Sequence, residues 1–249
     1  MTPAMPAPVP AHAMVLAAGF GKRLRPITDT LPKPLVRVAG VPLIDTVLDR
    51  LAAVGVGDVV VNTHHLAEQV EQHLAHRRQP RIHISHEPEI LETGGGVRQA
   101  LPRLGSGPFY VVNGKVLWLN GKTDALMRLA AAWNDSAMDA LLLLHATAST
   151  VAYSGSGDFF IDQVGRLRRR RSWEVAPFVF TGIQILHPRL FEGAPAGAFS
   201  LNLLYDQAIE AGRIFGVRHD GEWYQVSTAD QLAEVEAHLR HGGERLHFA

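Results

Sequence analysis

The residues best equipped for chemistry lie close to the N-terminus. Gly19 and Gly21 follow the apolar run Met14-Val15-Leu16-Ala17-Ala18, and Lys22, Arg23 and Lys33 come next. Glycines directly after a strand let backbone N–H groups come close to a phosphate oxygen, because no Cβ stands in the way. Arg23 and Lys33, the latter held within Pro32-Lys33-Pro34, can neutralise a polyphosphate from two sides. This is equipment for holding a nucleoside triphosphate. Other phosphate loops fit less well: a dinucleotide-binding turn needs a further glycine where Leu24 stands, and a Walker A loop needs Ser or Thr in place of Arg23.

Four further segments combine glycines with polar side chains. Leu91-Glu92-Thr93-Gly94-Gly95-Gly96 precedes a helix expected to begin near Val97, so its N–H groups and the Thr93 hydroxyl are predicted to face a ligand. Asn113-Gly114-Lys115 ends an apolar strand. Gly155-Ser156-Gly157-Asp158-Phe159 is a loop carrying one carboxylate, and Thr181-Gly182 lies within a long apolar strand.

With these residues stated, the chain resembles the sugar-1-phosphate nucleotidyltransferases from about Met14 to about Leu239. Within that family, Leu91–Gly96 and Gly155–Phe159 look most like the N-acetylmuramate-1-phosphate uridylyltransferase branch, which serves peptidoglycan recycling. The resemblance implies attack by a sugar 1-phosphate on the α-phosphorus of a nucleoside triphosphate, UTP being the preferred choice, with release of pyrophosphate. Positioning and charge stabilisation supply nearly all of such catalysis. By the same resemblance Arg23 and Lys33 are the catalytic cations. Leu16, Ala17, Ala18, Gly19, Gly21, Lys22, Glu92, Thr93, Gly94 and Asn113 form the nucleotide side; Asp158, Thr181 and Gly182 form the sugar-phosphate side.

The family also implies a catalytic Mg2+, and here the chain departs from its relatives. Lys115 stands where an aspartate is expected, and Gln225, in Trp223-Tyr224-Gln225-Val226-Ser227-Thr228, stands where a second is expected. Replacing carboxylate by ammonium shifts the local charge by roughly two units. A protonated lysine cannot ligate magnesium, an ion that favours carboxylate and phosphate oxygens, so the usual metal site is weakened or lost. Three readings follow. In one the Lys115 amine replaces the metal electrostatically and activity survives at reduced rate or with metal held by phosphates and water alone; in another the chain is a catalytically impaired nucleotide or nucleotide-sugar binding protein; a third is an altered residue in an otherwise ordinary enzyme of the family.

The elements that must position these residues alternate along the chain. Strands are expected at 13–17, 58–62, 81–86, 108–113, 140–145, 159–162, 178–186 and 214–218. Helices are expected where Leu43, Ile44, Val47, Leu48 and Leu51, then Leu66, Val70 and Leu74, recur at helical spacing, and over 201–211 and 229–240. Such alternation predicts a Rossmann-like three-layer α/β/α fold with a mixed, mainly parallel central sheet and ligands at the carboxyl ends of its strands. The reading is one nucleotidyltransferase domain over 14–249, preceded by a disordered Ala/Pro-rich tail over 1–13.

The 249 residues are 47% hydrophobic, enough for a substantial core. Lys plus Arg equals Asp plus Glu at 24 each, so nothing draws the chain toward nucleic acid or anionic membrane as partners. The absence of cysteine excludes disulfides, thiolate metal sites and cysteine nucleophiles. With no signal peptide and no apolar run of about 18 residues, a cytoplasmic protein is expected. His64, His65, His73 and His76 read as packed or solvated, Arg168–Arg171 as a hairpin flank, and Trp118, Trp133 and Trp173 as packing residues. Oligomeric state stays open.

Overall fold

The computed structural model describes residues 9–151 and 153–241. The N-terminal half runs β1 (His12–Leu16), β2 (Arg37–Val38), β3 (Val41–Pro42), α1 (Leu43–Ala53), β4 (Asp58–Thr63), α2 (Ala67–Leu74), β5 (Arg81–His86) and α3 (Glu92–Ala100). It continues through β6 (Phe109–Asn113), β7 (Leu117–Leu119), α4 (Ala125–Ala132), β8 (Ala140–Ala146), β9 (Phe159–Ile161) and β10 (Leu167–Arg169). The last elements are β11 (Phe178–Leu186), α5 (Leu201–Glu210), β12 (Ile214–Arg218), β13 (Glu222–Tyr224) and α6 (Ala229–His241). Of the tail expected over 1–13, residues 1–8 lie outside the described residues, and His12 and Ala13 already belong to β1.

Strands β6, β1, β4 and β5 form a parallel quartet. β11 then pairs antiparallel with β6, and β8 and β12 extend the sheet beyond it. The apolar runs of β1, β4 and β6 are buried on both faces, as parallel strands covered by helices require, while the edge strand β5 is only half-buried. Alternate residues separate into two cores. Val15, Val59, Val61 and Val112 pack with Val47 and Leu51 of α1 and Leu126 of α4. Met14, Val60 and Val111 pack with Val97 of α3 and Leu204 of α5. Period-two strands between two helical layers are the predicted three-layer α/β/α fold.

A third core lies beside the strand ends, where Leu24, Val36, Leu117, Tyr224 and Val226 pack with Val235 and Leu239 of α6. Its strands β7 and β13 pair antiparallel in a separate small sheet. Among the described residues no helix is long and apolar enough to cross a membrane.

One break in the sheet shapes the site. β11 runs along β8 throughout, but the register shifts between Phe180 and Gln184, and on its other edge β11 meets β6 from Ile183 onward and β9 only at Phe178. Thr181 and Gly182 therefore sit at a bulge beside the end of β6. Gly182 has φ +80, and a Cβ there would collide with the Asn113 side chain. Trp118 and Trp133 are buried as expected, but Trp173 is 76% exposed, at the turn after β10 with the Arg171 guanidinium over its ring.

Candidate active site

Two cavities open where β1, β4 and β6 end. The first, about 300 Å³, is lined by Leu16, Ala18 and Gly19, by Asn62, Glu87 and Ile90, by Glu92 and Thr93, and by Ser200. The second, about 410 Å³, is lined by Arg23, Tyr153, Asp158, Thr181, Trp223 and Gln225, among others. Asn113 and Lys115 line both. The cavities are therefore neighbours, and Lys115 and Asn113 form the neck of wall they share.

The turn after β1 is shaped by β4 and by the segment after β5. Ala17 leaves the strand ladder because its N–H donates to Asn62 Oδ1 at 2.7 Å, so β1 ends at Leu16 rather than at the expected Ala17. Asn62 Nδ2 donates to Glu87 Oε1 at 2.7 Å, and the Leu91 N–H donates to Glu87 Oε2 at 2.9 Å. Glu87 is wholly buried, and both its carboxylate oxygens are engaged in holding the glycine turn and the start of α3 together.

Gly21 takes the left-handed conformation at φ +64, and a Cβ on it would come within 2.9 Å of Thr28 and 3.2 Å of the Lys33 Cβ. Its absence lets the loop close over Lys33, which begins a short 3-10 turn between Pro32 and Pro34 and is 5% exposed. Burial first, then the charges of Lys115 and Arg23, lower the Lys33 pKa to about 7. Lys115 is lowered by burial and by Arg23. Its residue surface is nonetheless exposed, and it lines both open cavities. None of the ion pairs among the described residues involves Arg23, Lys33 or Lys115. Three mutually repelling cations without a carboxylate partner form a site prepared for an anion.

The Glu92–Gly96 segment differs from expectation. The helix begins at Glu92, so Thr93 and all three glycines lie inside α3. The Gly94 and Gly95 N–H groups both donate to the Phe199 carbonyl, at 2.8 and 3.1 Å, and the Thr93 hydroxyl accepts the Leu201 N–H at 2.9 Å. The glycines are there for close packing. A Cβ on Gly94 would strike the Phe199 ring, one on Gly95 the Gly197 carbonyl, and one on Gly96 would lie 2.7 Å from Glu87 Oε1. Glu92, at φ +58, and Thr93 still line the first cavity.

The other expected residues divide as follows. Leu16, Ala18, Gly19, Glu92, Thr93 and Asn113 line the first cavity, and Arg23, Asp158 and Thr181 the second. Ala17, Gly21, Lys33, Gly94 and Gly182 support these walls from behind, while the Lys22 ammonium lies over the Phe20 ring. The Thr181 hydroxyl donates to the Leu143 carbonyl at 2.8 Å, and Asp158 Oδ2 accepts the Phe180 N–H at 2.8 Å. Asn62, Glu87, Ser200, Tyr153 and Trp223 were not foreseen. Asn62 carried a usable signal, a polar residue at the carboxyl end of an apolar strand, where ligands of such sheets bind.

The residues present do not fit a protein-held magnesium ion. Lys115 and Gln225, at the expected metal positions, offer an ammonium and a neutral amide. Glu87 is committed to Asn62 and Leu91, which leaves one further carboxylate on each cavity, Glu92 on the first and Asp158 on the second, in place of a pair converging on one point. Among the described residues no cluster of three His, Cys, Asp or Glu is placed to hold a metal. The histidines noted in the sequence are used otherwise: His64 Nδ1 lies 2.8 Å from the Glu87 carbonyl and His65 Nε2 3.0 Å from that of Thr28.

Residues 12–153 match the nucleotidyl transferase family. The chain is 42% identical to N-acetylmuramate alpha-1-phosphate uridylyltransferase of Caulobacter vibrioides over 92% of its own length and 97% of that protein's. It is 36% identical to the enzyme of the same name from Neisseria meningitidis serogroup B, over 90% and 96% respectively. Its fold superposes on the inositol-1-phosphate CTP transferase from T. maritima with a TM-score of 0.72 at 17% identity, covering 96% of this chain and 100% of that one. A family match over more than half of the chain, and relatives this similar along nearly all of it, carry one conclusion: the chain belongs to the nucleotidyl transferase family, among the sugar-1-phosphate nucleotidyltransferases.

Proposed function

We propose that this chain transfers the uridylyl group of UTP to N-acetylmuramate 1-phosphate, in the cytoplasm, as a step of peptidoglycan recycling. A phosphate oxygen of the sugar phosphate attacks the α-phosphorus; a new P–O bond forms, the bond to the bridging oxygen breaks, and pyrophosphate leaves with the electron pair. No proton transfer is needed, since the attacking phosphate is already ionised. The nucleoside occupies the first cavity and the sugar phosphate the second, so that the reacting phosphates meet at the neck. There Arg23 and Lys115 stabilise the charge on the transferring and leaving groups, with Lys33 behind them. Asn113 orients the groups on both sides.

The observation that carries this reading is the position of Lys115 and Asn113 on the shared wall of two cavities, with Arg23 and Asp158 lining the second. The names borne by the relatives supply the sugar and the base. The test is pyrophosphate release from UTP with N-acetylmuramate 1-phosphate, N-acetylglucosamine 1-phosphate and glucose 1-phosphate offered in parallel. Release is expected with the highest kcat/KM for the first, and Arg23→Ala is expected to lower kcat about 10²-fold. A second reading, a nucleotide or nucleotide-sugar binding protein without turnover, draws support from Lys115 and Gln225. Tight UTP binding with silence toward every sugar phosphate would establish it.

A further inference from the structure

The wall shared by the cavities carries one cation, Lys115, where a metal-using relative is expected to carry a carboxylate, in addition to nearby Arg23 and Lys33. Lys115 lies on the wall of both cavities, Arg23 lines the second, and Lys33 is close enough to both for each to depress its protonation. A divalent ion placed beside these groups would meet Arg23, Lys115 and, when protonated, Lys33, with Asp158 as the carboxylate on that cavity wall and no anionic oxygen from the two expected ligand positions. The same arrangement suits a free polyphosphate, whose charge would offset all three. The neck's electrostatics thus favour the uncomplexed nucleotide over its magnesium complex.

We propose that Lys115 is a built-in cation occupying the role of the metal, so that this chain recognises metal-free nucleoside triphosphate and binds it in preference to the magnesium complex. The proposal rests on the nucleotidyltransferase reading for the identity of its ligand. Its sign follows from charge: free UTP carries about four negative charges near neutral pH and its magnesium complex about two, so complexation halves the attraction to a fixed cation cluster. Lys115 contributes by touching the phosphates; Gln225, on the same cavity wall, is a neutral donor that brings no competing negative charge.

Calorimetric titration of the full chain with UTP, in EDTA and then in excess magnesium chloride at matched ionic strength, tests this without recourse to turnover. The wild type is expected to bind UTP at least about threefold more tightly in EDTA. Lys115→Asp is expected to reverse the order, binding weakly in EDTA and recovering with magnesium. Lys115→Met, a neutral side chain of similar length, is expected to bind weakly in both. Circular dichroism and thermal melting of each variant confirm that it folds. Equal or tighter wild-type binding in magnesium overturns the proposal, as does a Lys115→Met variant that retains the wild-type preference. Absence of UTP binding under both conditions would instead overturn the uridylyl-transfer reading on which the proposal rests.

Discussion

Lys33 shows what burial beside other cations does to a single ammonium group. Buried at 5% exposure and repelled by Lys115 and Arg23, it titrates at about 7 in the folded protein against 10.5 in the open chain. Between those values the unfolded chain binds more protons than the folded one, so stability rises with pH across this window. Below about pH 7 the full cost of the buried ammonium is present. Lys33→Met is therefore expected to melt at higher temperature than the wild type at about pH 6, with the gap narrowing toward about pH 10. Its UTP affinity should fall by about tenfold or more in the same titrations. A triphosphate should also draw a proton onto Lys33, so that UTP binding at about pH 8 takes up protons, measurable by calorimetry in buffers of different ionisation enthalpy.

At the scale of elements, the join between β4, the segment after β5 and the start of α3 decides whether the glycine turn is in place. Asn62 and Glu87 link these pieces, and Gly96 packs directly against both, with room for no side chain: a Cβ would sit 2.7 Å from Glu87 Oε1 and 2.9 Å from Asn62 Nδ2. Gly96→Ala is expected to break that bond and cost about 1–3 kcal/mol in thermal or urea unfolding. It should also raise the KM for UTP, since the Ala17 N–H loses its fixed acceptor. Much of the element pattern was legible from periodicity, as with the buried runs of β1, β4 and β6. Helix α4 was not foreseen, although Asp124 caps it by accepting the Leu126 and Met127 N–H groups. The start of α3 was misplaced by five residues, because triple glycine reads locally as a loop and only the Phe199 carbonyl and ring make it helical.

At the scale of the molecule, the site is closed by the far end of the chain. Helix α6 sends Val235 and Leu239 into a core shared with Leu24, near Arg23, and with Tyr224 and Val226, which flank Gln225. Residues some two hundred positions apart in sequence thus fix one cavity wall. Leu239→Ala is expected to lower stability by about 2–3 kcal/mol, read from denaturant unfolding. It should also weaken UTP binding through a loosened β13, whereas a comparable truncation on α5, Leu204→Ala, should cost stability with a smaller effect on binding.

From the sequence came the fold class and the glycine turn with its nearby cations, and the family resemblance marked Arg23 and Lys33 as expected catalytic cations and Lys115 and Gln225 as standing at expected metal positions. Strand and helix periods report the elements directly, while the site roles rest on residue types at positions that the family resemblance picks out. Tertiary structure alone decided that Lys115 stands between two cavities, that Lys33 is buried beneath them, and that Glu87 serves as a brace. It also gave the triple glycine its packing role. Each of these depends on contacts between segments far apart in the chain, and burial and charge coupling exist only once those segments meet.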